Sequence, residues 1–150
     1  MRSALILAGQ PRTFEFCFPS LKEHILDVYQ PDVFIVTDDC KERITELYKP
    51  NKIEVANQED IYNMALDQRK NIPSVMATND LSIAWKLSRA MELKSCHEKK
   101  NSFIYDVVIL TRFDVKFRAV PHIEAHPNTL YVPMIGGYWN TPPADPGIHW

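Results

Sequence analysis

Three charged side chains crowd the end of one apolar run. In YDVVILTRFDVKF (residues 105–117), Arg112, Asp114 and Lys116 occupy every second position after an apolar stretch. On an extended strand that spacing puts them on one face, opposite Phe113 and Val115. A carboxylate so placed is a hard oxygen ligand for Mg²⁺ or Mn²⁺, cations that usually share their shells with phosphate oxygens. A guanidinium beside it is a bidentate phosphate donor. The competing reading is local: Arg112 and Asp114 close on each other as an ion pair at a sheet edge.

Two further groups carry related chemistry. AGQPRTF (8–14) joins a glycine, which lets the backbone turn sharply and a ligand come close, to Arg12. Gly9, Gln10, Arg12 and Thr13 read as a nucleotide-holding loop, or else as a tight strand-to-helix turn with a solvated arginine. VTDD (36–39) offers Thr37, Asp38 and Asp39. An acidic residue after a second strand can accept hydrogen bonds from a ribose or a base edge, the role expected of Asp38; Asp39 reads as part of a turn or a helix cap. Neither GxGxxG nor GxxxxGK[ST] occurs, so the dinucleotide fold and the P-loop lose their best evidence.

Composition excludes more than it assigns. A net charge of −2 gives no basic field for nucleic acid or an anionic membrane, so any anion must be held by a few placed groups. Cys17, Cys40 and Cys96 are odd in number, far apart and outside any CxxC pattern, which reads as free thiols in a reducing, cytoplasmic compartment (the host's, if the source is viral). His122 and His126 are four apart, but Pro121 and Pro127 oppose the helix that would align them, so no histidine metal site is expected. The apolar run from Ala4 to Gly9 is too short for a signal-peptide core or a membrane span.

The elements that must position these groups alternate. SALILAG (3–9) is a buried strand closed by Gly9 and Pro11. FCFPSLKEHILDVY (16–29) is an amphipathic helix with Pro19 in its first turn. PDVFIVTDD (31–39) is a strand, KERITELYKP a short helix ended before Pro50, and NKIEVANQ a weaker strand. After a long connection over 58–79, NDLSIAWKLSRAMELKSCH (79–97) is the best helix of the chain. Asn79 or Asp80 is its N-cap, Ile83, Leu87, Ala90 and Met91 form its core face, and Ser82, Lys86 and Arg89 lie on another; Trp85 reads as packing. The interior strand 105–117 follows, then TLYVPM (129–134). This order predicts an α/β three-layer sandwich with a mostly parallel central sheet, in a single domain over 1–150. The Gly-, Pro- and Trp-rich tail from Gly136 has no periodicity, as expected of the front part of a longer polypeptide.

In such sheets ligands bind beyond the carboxyl ends of the strands, and all three polar groups fall there. ALILAGQPRTF, PDVFIVTDD, NDLSIAWKLSRAMELK and FIYDVVILTRFDVKF, in that order, together resemble the GT-A-fold (Rossmann-like) glycosyltransferases of large DNA viruses, chloroviruses among them, and of bacterial capsule clusters. The resemblance spans roughly residues 3–140. It implies transfer of a hexose or deoxyhexose from a nucleotide diphosphate sugar, commonly a UDP-sugar, to a glycan acceptor, assisted by Mn²⁺ or Mg²⁺. The Gly9–Thr13 loop and Asp38 would hold the nucleoside. Asn79, Ser82 and Lys86 would face the diphosphate or donor sugar, and Asp114 would take the metal-binding position with Arg112 beside it. The family's Asp-x-Asp is broken here by Lys116, and Asp145 is the one late candidate for the catalytic base. A sugar-1-phosphate nucleotidyltransferase also begins with a strand and LAG, but its glycine-rich loop is replaced by Gln10-Pro11-Arg12. A non-catalytic nucleotide-sugar-binding module is the third reading.

Overall fold

The computed structural model describes residues 1–57, 59, 61–63, 78–123 and 125. Four strands, β1 (Ser3–Gly9), β2 (Asp32–Thr37), β3 (Lys52–Val55) and β4 (Val107–Thr111), form one sheet in the order β3-β2-β1-β4. Every pairing is parallel: Ala4 lies opposite Asp32, Ser3 opposite Val107, and Phe34 opposite Lys52. β1 is buried along its whole length. That follows from its central place, because a parallel strand covered on both faces needs apolar residues at every position.

The two faces of the sheet bury different helices. Leu5, Leu7, Val33 and Ile35 pack with Phe14, Leu21 and Ile25 of α1 (Phe14–Leu21 and its continuation) and with Ile44 and Tyr48 of α2 (Lys41–Tyr48). Ala4, Ile6, Phe34 and Val36 pack on the opposite side against Ala90 and its neighbours in α3 (Thr78–Asn101). The result is the expected three-layer arrangement with helices on both faces. Asn51 fixes the β2–β3 edge: its side chain accepts from the Val33 N–H at 2.8 Å and donates to Asp32 at 2.7 Å, while its own N–H reaches the Val33 carbonyl.

Four expectations change in detail. α1 begins at Phe14, so Pro19 falls inside it rather than in the first turn. A mid-helix proline removes one N–H from the ladder, and directly after it the helix widens into a π-type turn (Lys22–Leu26) before a last α turn (Asp27–Tyr29). Left-handed Gln30, followed by Pro31, ends it. The helix α3 already includes Asn79 and Asp80, which therefore do not cap it. Its buried line is Lys86, Ala90, Lys94 and Glu98, with Ile83, Leu87 and Met91 only half-buried beside it. Finally, among the described strands the interior ones are β1 and β2 and not β4: β4 ends at Thr111, and Leu110 is 50% exposed. Beyond it the chain folds back along α1, where Phe113 and Phe117 enter the core, the Phe117 N–H donates to Ser20 Oγ, and the Tyr29 hydroxyl donates to the Pro121 carbonyl.

All three cysteines are free thiols. Among the described residues no helix is long and apolar enough to cross a membrane. The TLYVPM run, the tail and Asp145 lie outside the described residues.

Candidate functional site

The strand order decides where a ligand can enter. α1 leaves the end of β1 on one face of the sheet, whereas α3 delivers the chain to β4 from the other. The ends of β1 and β4 therefore diverge, and the crevice between them is the switch point at which parallel sheets bind ligands. Gly9 closes β1 with φ of 126°, a backbone that disfavours any side chain, and nothing lies within 4 Å of where its Cβ would stand. Backbone and open space thus meet at the mouth of the crevice.

Beyond Gly9 the chain makes two tight turns, with the Arg12 N–H on the Gln10 carbonyl at 2.9 Å and the Phe14 N–H on the Arg12 carbonyl at 2.5 Å. Arg12 Nε donates to Gln10 Oε1 at 2.8 Å, so Gln10 holds the guanidinium on the loop. Thr13 precedes α1 without capping it; its hydroxyl lies 3.9 Å from Cys17 Sγ.

On the other lip, Arg112 grips Asp114 with a two-pronged contact, Nε to Oδ1 at 2.9 Å and Nη2 to Oδ2 at 2.7 Å. Phe113, 1% exposed, anchors the backbone between them and turns both charges outward. The Arg112 bonds hold the Asp114 carboxyl below its ordinary value against the opposing effect of burial, and the charge of Arg12 adds to this. Arg12 follows β1, and Arg112 and Asp114 follow the adjacent β4, so two loops at the same end of the sheet carry three charges with a surplus of one positive. Because the strand stops at Thr111, the shared face expected of Arg112, Asp114 and Lys116 does not form, and Lys116 lies instead with its Nζ 4.9 Å from the centre of the Phe16 ring.

The end of β2 carries a different arrangement. Lys86 Nζ sits 2.5 Å from Asp38 Oδ1, with the lysine side chain 2% and the aspartate 12% exposed. Both were expected to face a ligand separately; the fold instead joins them across the gap between β2 and α3. Thr37 is fully buried and its hydroxyl donates to the Asp39 carbonyl, which makes it a turn-forming residue. Asp39 accepts the Cys40 N–H at 2.7 Å, while Cys40 itself stands at the left-handed cap of α2. Ser82 is half-buried one turn before Lys86, and of Asn79 the backbone alone is described. The Asp38–Lys86 pair stands at the end of β2, two strand spacings (about 10 Å) across the sheet from the end of β4, on the far side of β1.

What these residues can hold follows from their charges. Both oxygens of Asp114 are engaged by a guanidinium and a second arginine is near, whereas a divalent cation needs free oxygens. Among the described residues no three His, Cys, Asp or Glu side chains come close enough to share a metal. The group fits an anion better than a cation. Sequence reasoning missed the burial of Lys86; the spacing of Lys86, Ala90, Lys94 and Glu98 at every fourth residue was the available signal. A depression of about 480 Å³, lined by Ser95, Glu98, Lys99, Ser102, Phe103 and Ile104, lies at the opposite end of the sheet and touches none of these groups.

Compared against protein families, curated proteins and solved structures, the chain finds no match. The resemblance to GT-A glycosyltransferases rests on the residues quoted for it.

Proposed function

We propose that this chain is a nucleotide-sugar-dependent glycosyltransferase domain, with the donor bound across the carboxyl ends of β1, β2 and β4. One observation carries the reading: Arg112, forked to Asp114 just past β4, and Arg12, just past the adjacent β1 and Gly9, leave the sheet at the same end, near enough for the charge of Arg12 to act on Asp114. A diphosphate is the ligand component that such a pair suits, because guanidiniums bind its oxygens bidentately and the leaving-group charge on it is what a transfer reaction must stabilise. The nucleoside lies over the β1–β2 side, where the Gly9–Thr13 loop gives backbone approach and the Asp38–Lys86 pair forms the floor. The sugar and its glycan acceptor then face the outer lip of the crevice. UDP, with a UDP-hexose as donor, is the specific form of the proposal.

A binding module without turnover is the second reading, favoured by the engagement of Asp38 by Lys86 and of Asp114 by Arg112. A carboxylate locked to a cation is a poor general base. Titration of UDP and a UDP-hexose into the wild type and Arg12→Gln tests the common premise. Binding that weakens tenfold or more in the variant supports it; absence of binding to the wild type overturns it. Release of UDP from the UDP-hexose, with or without an added glycan, separates the enzyme from the module, and release of pyrophosphate from UTP and a sugar-1-phosphate would point to a nucleotidyltransferase instead.

A further inference from the structure

We infer that the switch-point site binds its diphosphate without a divalent cation, and that Asp114 is a positioning residue for Arg112 rather than a metal ligand. The inference rests on the nucleotide reading only for the identity of the ligand; the geometry of the clamp is independent of it.

The argument begins with occupancy of the carboxylate. Asp114 accepts from Arg112 at 2.9 and 2.7 Å, one bond to each oxygen. A metal bound there would have to displace the fork or share oxygens with it, and would stand beside the positive charges of Arg112 and Arg12. The residue two places on, where a second carboxylate would extend the ligand set, is Lys116. Its ammonium lies over the Phe16 ring of α1, so this position supplies a cation where the ligand set would need a carboxylate. Two arginines and one carboxylate in two short segments do what a metal does for a diphosphate elsewhere: they supply net positive charge in a fixed place.

Asp114 then has a different task. An exposed arginine is a flexible side chain, and Arg112 is 59% exposed. Its bond from Nε and Nη2 to the carboxylate fixes the plane of the guanidinium and leaves Nη1 without a role in that contact, available to the anion. Gln10 does the same for Arg12 through Nε. Each arginine thus has one edge restrained by a neighbour and other donors outside that contact, so less order must be imposed when the anion arrives.

The two accounts of Asp114 predict opposite signs. As a metal ligand, its conversion to asparagine abolishes metal-dependent binding. As a positioning residue, Asp114→Asn keeps an acceptor for Arg112 and removes a like charge from the anion site, so affinity is unchanged or rises by roughly two- to fivefold, the range of one exposed charge pair. Both partners of the pair are solvent-accessible, so the variant is expected to fold.

The test is calorimetric titration of UDP and of inorganic pyrophosphate into the wild type, Asp114→Asn and Arg112→Gln, each in EDTA and again with Mn²⁺. Expected are UDP binding in EDTA, at most a twofold change with Mn²⁺, equal or tighter binding to Asp114→Asn, and at least a tenfold loss in Arg112→Gln. UDP binding that appears only with Mn²⁺ and vanishes in Asp114→Asn overturns the inference and leaves the nucleotide reading standing. Pyrophosphate binding in EDTA with no gain from the uridine moiety leaves the clamp standing and overturns the nucleotide reading. No binding of either probe to the wild type overturns both.

Discussion

Asp38–Lys86 and Arg112–Asp114 are both carboxylate–cation pairs at strand ends of one sheet, yet they do opposite work. The first joins β2 to α3, with its lysine 2% exposed; the second closes over a single residue within one loop, with its arginine 59% exposed. Burying two charges costs several kcal/mol of solvation, which only a well-placed partner offsets. Asp38 and Lys86 therefore depend on each other, and the helix is tied to the strand tip by that dependence. Arg112 and Asp114 remain in water, where an ion pair contributes about 0.2–1 kcal/mol, and they can exchange partners at little cost. A ligand can recruit the second pair; it would have to dismantle the fold to recruit the first.

The sharpest way to break this contrast is to remove one member of the buried pair. Lys86→Met removes the cation that Asp38 holds at 2.5 Å in a buried place, and a loss of about 3–5 kcal/mol is expected. Urea unfolding reads this as a lower midpoint, and Lys86→Met with Asp38→Asn should recover a large part of it. A midpoint unchanged by Lys86→Met would mean that burial does not separate the two pairs.

A third pair tests whether burial or position decides. Lys94 meets Glu98 at 2.9 Å on both oxygens at the far end of α3, and Glu98 also accepts the Tyr105 N–H at 3.0 Å. Burial pushes the Glu98 carboxyl up, but Lys94 and the Tyr105 amide outweigh it and leave it below its ordinary value. A depressed carboxyl contributes stability that is in place above the ordinary glutamate value and is lost as pH falls through the folded-state value. Glu98→Gln keeps an acceptor for Tyr105 but strips Lys94 of its counter-charge, so about 2 kcal/mol should go at neutral pH. The gap between variant and wild type should close in acid; a gap of constant size between about pH 7 and pH 4 would contradict the assignment.

Arg112→Gln probes the exposed side of the contrast. Its folding stability should move by no more than about 1 kcal/mol, while pyrophosphate affinity falls tenfold or more. A variant that unfolds instead would place Arg112 among the structural charges.

The smallest effect, and the one of reversed sign, concerns a buried polar atom with no partner. Tyr48 is 3% exposed, and its hydroxyl finds no hydrogen-bond partner among the described residues. Burial pushes its ionisation well above the ordinary range. Tyr48→Phe removes an unsatisfied group and keeps the ring contacts with Phe18 and Phe113, so stability should be unchanged or rise by up to about 1 kcal/mol. A clear loss would reveal a hydrogen bond to an internal water.

The strands were legible because their apolar runs are short and sharply punctuated. SALILAG became β1 without a change of boundary, and PDVFIVTDD and NKIEVANQ each contain the strand expected of them. The collection of Gly9, Arg12, Arg112 and Asp114 at one edge was also readable, since parallel strands send all their exits to the same side. The buried face of α3 was not. Helical periodicity sorts residues by type, and it put Lys86 with Ser82 and Arg89 on a face away from the core; Asp38, the partner that buries Lys86, lies in another element, and only the spacing of Lys86, Ala90, Lys94 and Glu98 hinted at a buried line. The length of β4 was misread for a related reason. Phe113 and Val115 continue the alternation past Thr111, but Phe113 is drawn into the core beneath α1, and the chain turns there instead of extending.

The neighbours of β1 set an order of assembly. On one side it meets β2, delivered by a single helix. On the other it meets β4, with the Arg2 N–H on Asp106 as the first contact of that edge, between residues 104 apart in the chain. Closing a loop of that length costs more entropy, and such contacts are made slowly. The unit of β1, α1 and β2 is therefore expected to form first and to act as the template on which β4 docks. Mutations at the β1–β2 contact, such as Val33→Ala, should slow refolding, whereas Ile109→Ala in β4 should chiefly speed unfolding. Arg12 waits on the template and Arg112 arrives with the last strand, so the proposed anion binding is expected to arise late in folding, which a pyrophosphate pulse during refolding can time.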